Sequence, residues 1–478
     1  MRCRLVPAAL IPATMDITWN RAAAALSGCL FMIGLVLPVA GAGAQRAAES
    51  RDMALLAHHD LQGRSAYQPV IHQHRGRWIA YIGHHSGSRV NRLTGRTEAN
   101  GTSVIDVTDP RHPRYLHHIP GDAGRRGGSS GAQMVRVCEG GDLPRGDPDK
   151  LYLLRTAGNN RHEIWDVTVP AQSTLIATVA DNLEGTHKSW WECDTGIAYL
   201  VSGVPEWRTH RMTQVFDLAD PAHPVFIRNF GLLGQEPGAG GPVPTGLHGP
   251  ISTGPRGNRV YFGHGTSSGG ILQIVDRRKL LKGAPEPTPD NLLYPQAGRF
   301  DLPADFGAHT VFPVIGMNVR AGPGGQPAGM RDFVVITNEA LSDGCNGPRQ
   351  RVWIVDVTDE SHPVEVAQWT VDEAIGDYCT RPGRIGSHSS NESFTPIYYG
   401  RVVFIAHFNA GVRALDIRDP YQPHEIAYFT PPANPGEVVA TNNVEVDDRG
   451  YIYIVDRGSL GLHILELTGE ARAVANFP

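Results

Sequence analysis

The chain lacks a strongly basic segment. Its 43 lysine and arginine residues are outnumbered by 48 aspartate and glutamate residues, and the formal net charge is −5. Basic residues are also not interleaved with aromatic ones. Binding to nucleic acid or to an anionic membrane surface is therefore not expected, because both need a concentrated positive patch.

Several short motifs with known chemistry are missing as well. None of the six cysteines forms a Cys-Xaa-Xaa-Cys pair, so a cysteine-rich zinc site has little support. The glycine-rich pieces at 238–241 and 322–325 are not followed by Lys-Ser or Lys-Thr, and they read as loops rather than phosphate-binding loops. Beyond residue 44, no run is apolar enough to span a membrane.

Residues 1–44 are predicted to be a signal peptide and not part of the fold. Arg21 precedes the apolar stretch Ala22–Ala40, and small residues up to Ala44 supply a cleavage site. Met15 is an alternative start to Met1. We therefore expect a periplasmic or secreted protein without a membrane span.

A repeated phrase is the most informative feature that is present. Each copy begins with a run of β-branched residues that ends in an acidic residue. Asp-Pro, or a degenerate form of it, follows, and then comes a second apolar run. This pattern predicts two strands joined by a tight turn. The clear copies are GTSVIDVTDPRHPRYL from Gly101, TQVFDLADPAHPVFI from Thr213, VWIVDVTDESHPVEVA from Val352 and VRALDIRDPYQPHEIA from Val412, and weaker copies begin at His162, Leu272 and Leu462.

Two more strand-like runs precede each copy, and four strands per repeat of roughly 45–75 residues are typical of a propeller blade. We predict an all-β fold in which residues 45–478 form one seven-bladed β-propeller of four-stranded blades. The run Met53–Gly63 resembles the closing strand of other copies, so it is expected to complete blade seven. A six-bladed ring and an unclosed β array are the alternatives. The expected blades are 66–120, 130–178, 186–232, 247–301, 308–370, 387–430 and 441–470.

The phrases resemble the LVIVD-repeat family of bacterial β-propellers. The residues that carry the resemblance are Val104–Asp106, Ile274–Asp276 and Val352–Asp356. The resemblance covers nearly all of the chain after the leader and implies a propeller fold. It implies no activity, because propellers host many unrelated functions.

Cysteine usage favours an oxidising compartment. Four cysteines remain outside the leader, an even number. Cys138 and Cys193 each lie near the end of a first strand in adjacent blades, and Cys345 and Cys379 lie in loops expected on one face. We expect these two disulfides; buried thiols or a cysteine metal site are the alternatives. Cys29, in the leader, fits a lipoprotein box only superficially, because the most apolar part of the leader follows it.

Histidine recurs at the start of the first strand in four consecutive blades. The local sequences are GTHKSWWE, GLHGPIST, GAHTVFPV and GSHSSNESF, which contain His187, His248, His309 and His388. The first strand of a blade lines the central channel, so these side chains are expected to converge around one axis. In the other blades this slot holds Gln68, Gln133 and Asn442 or Asn443.

A second slot at the end of the second strand should face the same channel mouth. It contains His264 and His407, and Glu339 lies beside it. Imidazole is the commonest nitrogen ligand for transition metals. We therefore predict a metal ion, iron or copper in preference to zinc, bound by His187, His248, His309 and His388. His264, His407 and Glu339 are predicted to transfer protons or to orient the ligands.

The predicted function is a metal-dependent oxidoreductase that acts on a small or apolar organic substrate at the channel mouth. The architecture is similar to the four-histidine iron propellers of carotenoid cleavage oxygenases, although no local motif is shared. Trp190, Trp191 and Trp207 are candidates for an aromatic wall near His187.

The alternative is a non-catalytic propeller that presents this face to a ligand or a protein partner. Channel histidines are then polar packing between blades. With either function, we expect a monomer. Histidine also recurs in the Xaa-His-Pro turns, at His112, His223 and His362. These turns should face outward on the opposite side, so their histidines serve as a comparison for the channel histidines.

Overall fold

The structure is a computed structural model that describes residues 46–122 and 131–477. The predicted signal peptide lies outside these residues. The described part is built almost entirely of β-strands, with short helices α1 (Gly254–Gly257), α2 (Arg277–Lys282), α3 (Pro289–Leu293) and α4 (Gly469–Val474). Single 3₁₀ turns occur at Leu61–Gly63, Pro323–Gly325 and Glu373–Ile375. None of the described helices has the length and hydropathy needed to cross a bilayer.

Two strands precede the first sheet: β1 (Glu49–Arg51) and β2 (Met53–His59). Sheet 1 then contains β3 (Ala66–His74), β4 (Arg77–His84), β7 (Thr102–Asp106) and β8 (Arg114–Ile119), and a small hairpin of β5 (Ser88–Val90) and β6 (Thr97–Ala99) is inserted in it. Sheet 2 contains β9 (Val135–Glu139), β10 (Leu151–Ala157), β11 (Arg161–Val169) and β12 (Gln172–Ala180). Sheet 3 contains β13 (Ser189–Trp191), β14 (Ile197–Ser202), β15 (Met212–Asp217) and β16 (Val225–Phe230).

The next two sheets have the same antiparallel order. Sheet 4 contains β17 (Leu247–Ser252), β18 (Arg259–His264), β19 (Ile271–Asp276) and β20 (Gln296–Asp301). Sheet 5 contains β21 (Thr310–Val319), β22 (Gly329–Thr337), β23 (Val352–Asp356) and β24 (Val364–Trp369).

The remaining strands form one nine-stranded sheet with two halves. One half is β25 (Ile385–Ser390), β26 (Val402–Phe408), β27 (Val412–Asp416) and β28 (His424–Thr430), with β1 added at its edge. The other half is β29 (Thr441–Val446), β30 (Ile452–Asp456) and β31 (Leu462–Leu467), with β2 paired to β31. The halves join where Phe408 pairs with Thr441. The N-terminal run thus takes the strand position expected of it.

The repeated phrase forms the third strand, the turn after it and the fourth strand. Its apolar residues are buried, as in β7, β23 and β27, because both faces of these strands are covered. The acidic residue at the end of the third strand then holds the turn. Asp106 accepts hydrogen bonds from the backbone N–H and hydroxyl of Thr108 and from Arg77 and Arg114. The acidic residue before the Asp-Pro sequence therefore stabilises the turn through local hydrogen bonds, as the sequence predicts.

The first strands adjoin one another in chain order, from β3 to β29, and β29 adjoins β3. A separate apolar core lies between each pair of neighbouring sheets. One of these cores joins the two ends of the series, with Ile82 and Ile105 of sheet 1 packed among Val455, Leu462 and Ile464. The architecture is therefore all-β and propeller-like, and its first strands surround a common axis.

Both predicted disulfides are confirmed. Cys138 and Cys193 are bonded with their Cα atoms 5.4 Å apart, and they join β9 to the residues just after β13. Cys345 and Cys379 are bonded with their Cα atoms 5.0 Å apart, and they join two loops. The first bridge ties sheet 2 to sheet 3, and the second ties the loop after β22 to the connection before β25.

Candidate metal centre

Four histidines from the first strands meet in one buried cluster. His248 and His388 lie in β17 and β25, while His187 and His309 lie just before β13 and β21. No imidazole is more than 6% exposed. The ring centroids of His187 and His248 are 4.5 Å apart, those of His248 and His309 3.7 Å, and those of His309 and His388 4.3 Å. The structure thus brings the four predicted ligand residues together.

Glycines before these histidines allow the close approach of the chain. Gly386 has a φ of 137°, which side chains larger than hydrogen rarely adopt. A Cβ atom on Gly307 would lie 2.1 Å from the backbone of Thr266. The Gly-Xaa-His spacing seen in the sequence is therefore a requirement of the backbone path into the channel.

Backbone contacts fix the ring orientation of two histidines. The Nδ1–H of His248 donates to the carbonyl oxygen of His309 at 2.9 Å, and the Nδ1–H of His388 donates to the carbonyl oxygen of Asn442. A carbonyl oxygen only accepts, so Nδ1 carries the proton in both rings. Their Nε2 atoms therefore have free lone pairs, which is the form that binds a metal.

The ring of His187 lies against two polar groups. Its Nε2 atom lies 2.9 Å from Nε2 of His248 and 3.0 Å from the hydroxyl of Tyr67. Since Nε2 of His248 has a lone pair, an Nε2–H of His187 can donate to it, and a bound metal ion would take the place of that proton. Within residues 46–122 and 131–477, Nε2 of His309 is buried without a hydrogen-bond partner. Such an atom is available to a metal ion.

Glu339 joins the cluster from the loop after β22. Its carboxylate oxygens lie 3.7 Å from Nε2 of His309 and 3.7 Å from Nε2 of His388. Ligand atoms of His248, His309 and Glu339 all lie within 4.8 Å of one another. The carboxylate thus lies among the candidate metal ligands, whereas the sequence placed it outside them.

Burial sets the protonation of the cluster. It lowers the pKa of His187, His248, His309 and His388 well below the ordinary value of 6.5, and neighbouring positive charges lower it further. The rings are therefore neutral at neutral pH. Burial raises the pKa of Glu339, although Arg457, Arg384 and Arg211 act in the opposite direction.

His264 is the last residue of β18, and His407 lies near the end of β26. His264 pairs across the strands with Leu247 and Ile271. The ring of His407 lies 6.1 Å from that of Trp369, a residue of β24. Burial lowers the pKa of each to about 3. These contacts involve side chains other than the four clustered histidines, and the catalytic role of both residues stays a prediction.

Trp190, Trp191 and Trp207 do not form the expected aromatic wall near His187. Trp190 and Trp191 lie further along β13 and line a cleft of about 1050 Å³ with Tyr261, Phe394 and Tyr399. Trp207 is buried in the core between sheets 3 and 4. A strand that starts at the cluster carries its later residues away from it, so the tryptophans reach a different opening.

A buried ion pair lies beside the cluster. The Lys188 ammonium donates to Glu392 at 2.7 Å and to the hydroxyl of Thr310 at 2.9 Å. Glu392 also binds Arg136, and the Thr310 hydroxyl lies 3.0 Å from Nδ1 of His309. The ammonium and carboxylate are therefore linked to the cluster through one hydroxyl. In the sequence, Lys188 directly follows His187 and Glu392 lies four residues after His388, so both partners of the pair adjoin predicted ligand residues.

Amide side chains fill the slots without histidine, and a tyrosine lies beside one of them. The side chain of Gln133 lies 3.2 Å from Nδ1 of His85, and Asn443 donates to Gln68 at 2.5 Å. Tyr67, which the sequence analysis missed, contacts the rings of His85, His187 and His388. Its place beside Gln68 at the start of β3 is the signal that could have identified it.

Comparisons with known proteins add little to this geometry. No family model matches the chain, and no curated protein sequence matches it. Raptor from Chaetomium thermophilum is structurally similar with a TM-score of 0.49 at 10% identity, over 89% of this chain and 30% of that chain. The chain thus spans less than a third of Raptor. Sqt1 from the same organism, bound to the N-terminus of the ribosomal protein L10, gives a TM-score of 0.42 at 13% identity over 85% of this chain and 89% of that chain. Neither similarity carries an argument about function.

Proposed function

We propose that the chain is a metal-dependent oxidoreductase whose ion is bound by the histidine cluster at the axis of a seven-bladed propeller. The LVIVD-like phrases, the succession of first strands and the pairing of β2 with β31 support the seven-bladed ring. The two disulfides support a periplasmic or secreted location.

The donor set is the observation that carries the proposal. His248, His309 and Glu339 offer two imidazoles and one carboxylate whose ligand atoms lie within 4.8 Å of one another, and His187 and His388 flank them. Two histidines with one carboxylate and open positions are typical of non-haem iron, and additional imidazoles also suit copper. A bound iron or copper ion would supply one-electron redox chemistry, and zinc would not.

The residues of this chain would do the rest. Hydrogen bonds to backbone carbonyls hold the rings of His248 and His388 in place with little reorganisation. The hydroxyl of Tyr67 lies 3.0 Å from Nε2 of His187 and can donate or accept a hydrogen bond there. Burial of the rings keeps bulk water away from the centre.

The test is elemental analysis of untagged protein purified without added metal. We expect about one equivalent of iron or copper per chain. His248→Ala and His309→Ala should lose most of it, since each removes a central ligand. His112→Ala, in an exposed turn, should keep it. Folded protein without any metal would overturn the proposal and favour the non-catalytic scaffold.

The location has its own test. Mass analysis of the N-terminus after expression with the full leader should give a chain that begins at Gln45. An uncleaved chain retained in the cytoplasm would contradict export.

A further inference from the structure

The charges around the cluster are strongly unbalanced. Arg211 precedes β15, Arg384 precedes β25 and Arg457 follows β30, so all three come from the same end of the sheets as the histidines. Together with Lys188, they are the main charges that act on Glu339. Since Lys188 is paired with Glu392, three guanidinium groups face a single carboxylate.

That carboxylate accepts a hydrogen bond from only one of the three, Arg384. Arg384 Nη1 lies 3.2 Å from Glu339 Oε1, and Arg457 Nη1 lies 3.8 Å from the same oxygen. Arg211 forms no ion pair among the described residues, and its Nε atom is buried there without a hydrogen-bond partner. A buried donor without an acceptor is unfavourable, and a charged one more so. An added anion would remove both the excess charge and the unmet donor.

A cavity of about 230 Å³ lies next to Arg211 at this mouth. Thr245 and the hydroxyl residues Thr266–Ser268 line it, and so do Leu247 and Leu341. Thr266 touches the cluster directly, because its carbonyl oxygen accepts a hydrogen bond from the backbone N–H of Glu339 at 3.2 Å. The volume is below the roughly 300–1,000 Å³ of drug-sized ligand sites, so it suits a small molecule.

We propose that this cavity binds a small organic acid, whose carboxylate pairs with Arg211 and whose apolar part contacts Leu247 and Leu341. Guanidinium groups bind carboxylate and phosphate with paired N–H donors. The leucines favour a molecule with an organic body over an inorganic oxyanion. As a statement about the substrate, this rests on the proposed oxidoreductase function, but the binding itself does not need the metal.

The test compares three probes by isothermal titration of the whole mature protein at constant ionic strength. Benzoate should bind, while benzamide, which has the same shape and no charge, should bind at least tenfold more weakly. Inorganic phosphate should also bind more weakly than benzoate. Arg211→Gln should weaken benzoate binding about tenfold and leave benzamide binding unchanged.

Arg299→Gln, at an exposed position of β20, is the matched control and should bind benzoate like the wild type. If circular dichroism shows that Arg211→Gln is unfolded, Arg211→Lys replaces it, since lysine keeps the charge but loses the paired N–H donors and should also weaken benzoate binding. Equal binding of benzoate and benzamide, or no benzoate binding, would overturn the inference. Phosphate binding at least as tight as benzoate binding would overturn the preference for an organic acid.

Metal content measured on the same samples separates the two proposals. Arginine-dependent benzoate binding by protein without metal would leave the acid site standing and remove the metalloenzyme. Protein that contains metal but does not discriminate benzoate from benzamide would leave the metalloenzyme standing and remove the acid site.

Discussion

Lys188 and Glu392 form an ion pair of 2.7 Å in which neither side chain is more than 3% exposed. Gly249 leaves room for the lysine, because a Cβ atom there would lie 2.7 Å from Cδ of Lys188. The pair links residues beside β13 and β25, which belong to sheets that are not neighbours in sequence. It therefore fixes two sides of the channel relative to each other.

Lys188→Met should destabilise the protein by about 3–5 kcal/mol, because it leaves the Glu392 carboxylate buried with less compensation. Urea denaturation would measure the loss. The double variant Lys188→Met/Glu392→Gln should lose less than the single one. Arg299→Met, which breaks an exposed ion pair, should cost under about 1 kcal/mol. If Lys188→Met loses no more stability than Arg299→Met, the buried ion pair does not fix the channel as assigned.

Glu339→Gln should reduce metal affinity at least tenfold if the carboxylate is a ligand. The amide keeps the shape but loses the negative charge that attracts a cation. Competition with a chelator, followed by elemental analysis, measures the effect. The same substitution at the exposed Glu365 of β24 should leave the affinity unchanged. Metal retention by Glu339→Gln equal to that of Glu365→Gln would place Glu339 outside the ligand set.

His407 should make the protein less stable in acid. Burial lowers its pKa to about 3, whereas the unfolded chain takes up this proton near pH 6.5. As the pH falls below 6.5, protonation therefore favours the unfolded state by about 1.4 kcal/mol per pH unit, until the pH approaches 3.

His407→Leu removes this contribution. Its free energy of unfolding should decrease less than that of the wild type between pH 7.5 and 4.5, by about 2–3 kcal/mol. Guanidinium denaturation at the two pH values provides the comparison. His112→Leu, at a side chain that is 80% exposed, should behave like the wild type. A variant with the acid sensitivity of the wild type would show that other groups account for it.

The Cys138–Cys193 bridge should contribute about 4 kcal/mol, because it closes a loop with a sequence separation of 55 residues. Replacing both cysteines by serine removes the bridge without leaving a free thiol. Thermal and urea unfolding of this variant would measure the loss. An undiminished stability would show that the unfolded chain is not restricted by the bridge.

Deletion of Met53–Gly63 should lower the melting temperature and cause aggregation. It removes the partner of β31 and leaves an open sheet edge beside the apolar core that contains Leu462 and Ile464. Leu55→Ser changes an exposed position of the same strand and should stay monomeric. Size-exclusion chromatography distinguishes the two. A monomeric deletion variant with an unchanged melting temperature would contradict the structural role of β2.

The sequence predicted the features that repeat and missed those that occur once. The four channel histidines, both disulfides and the strand position of Met53–Gly63 all follow from comparing one copy with another. Tyr67, Lys188 and Arg211 occupy no shared slot, and their roles depend on which side chains meet across the channel. His264 and His407 share a slot at the end of the second strand, but their individual contacts, Ile271 across the strands for His264 and the Trp369 ring for His407, do not follow from that slot.

The pairing of β2 with β31 also has a consequence for assembly. Of the described strands, only β1 precedes β2, which completes the last half-sheet, and its partner β31 is the last in chain order. Until β31 has been synthesised, β2 lacks its partner in this sheet. The disulfides close much shorter loops and can form earlier. Completion of this fold therefore waits for the synthesis of β31, and the early strand must be kept from other partners until then.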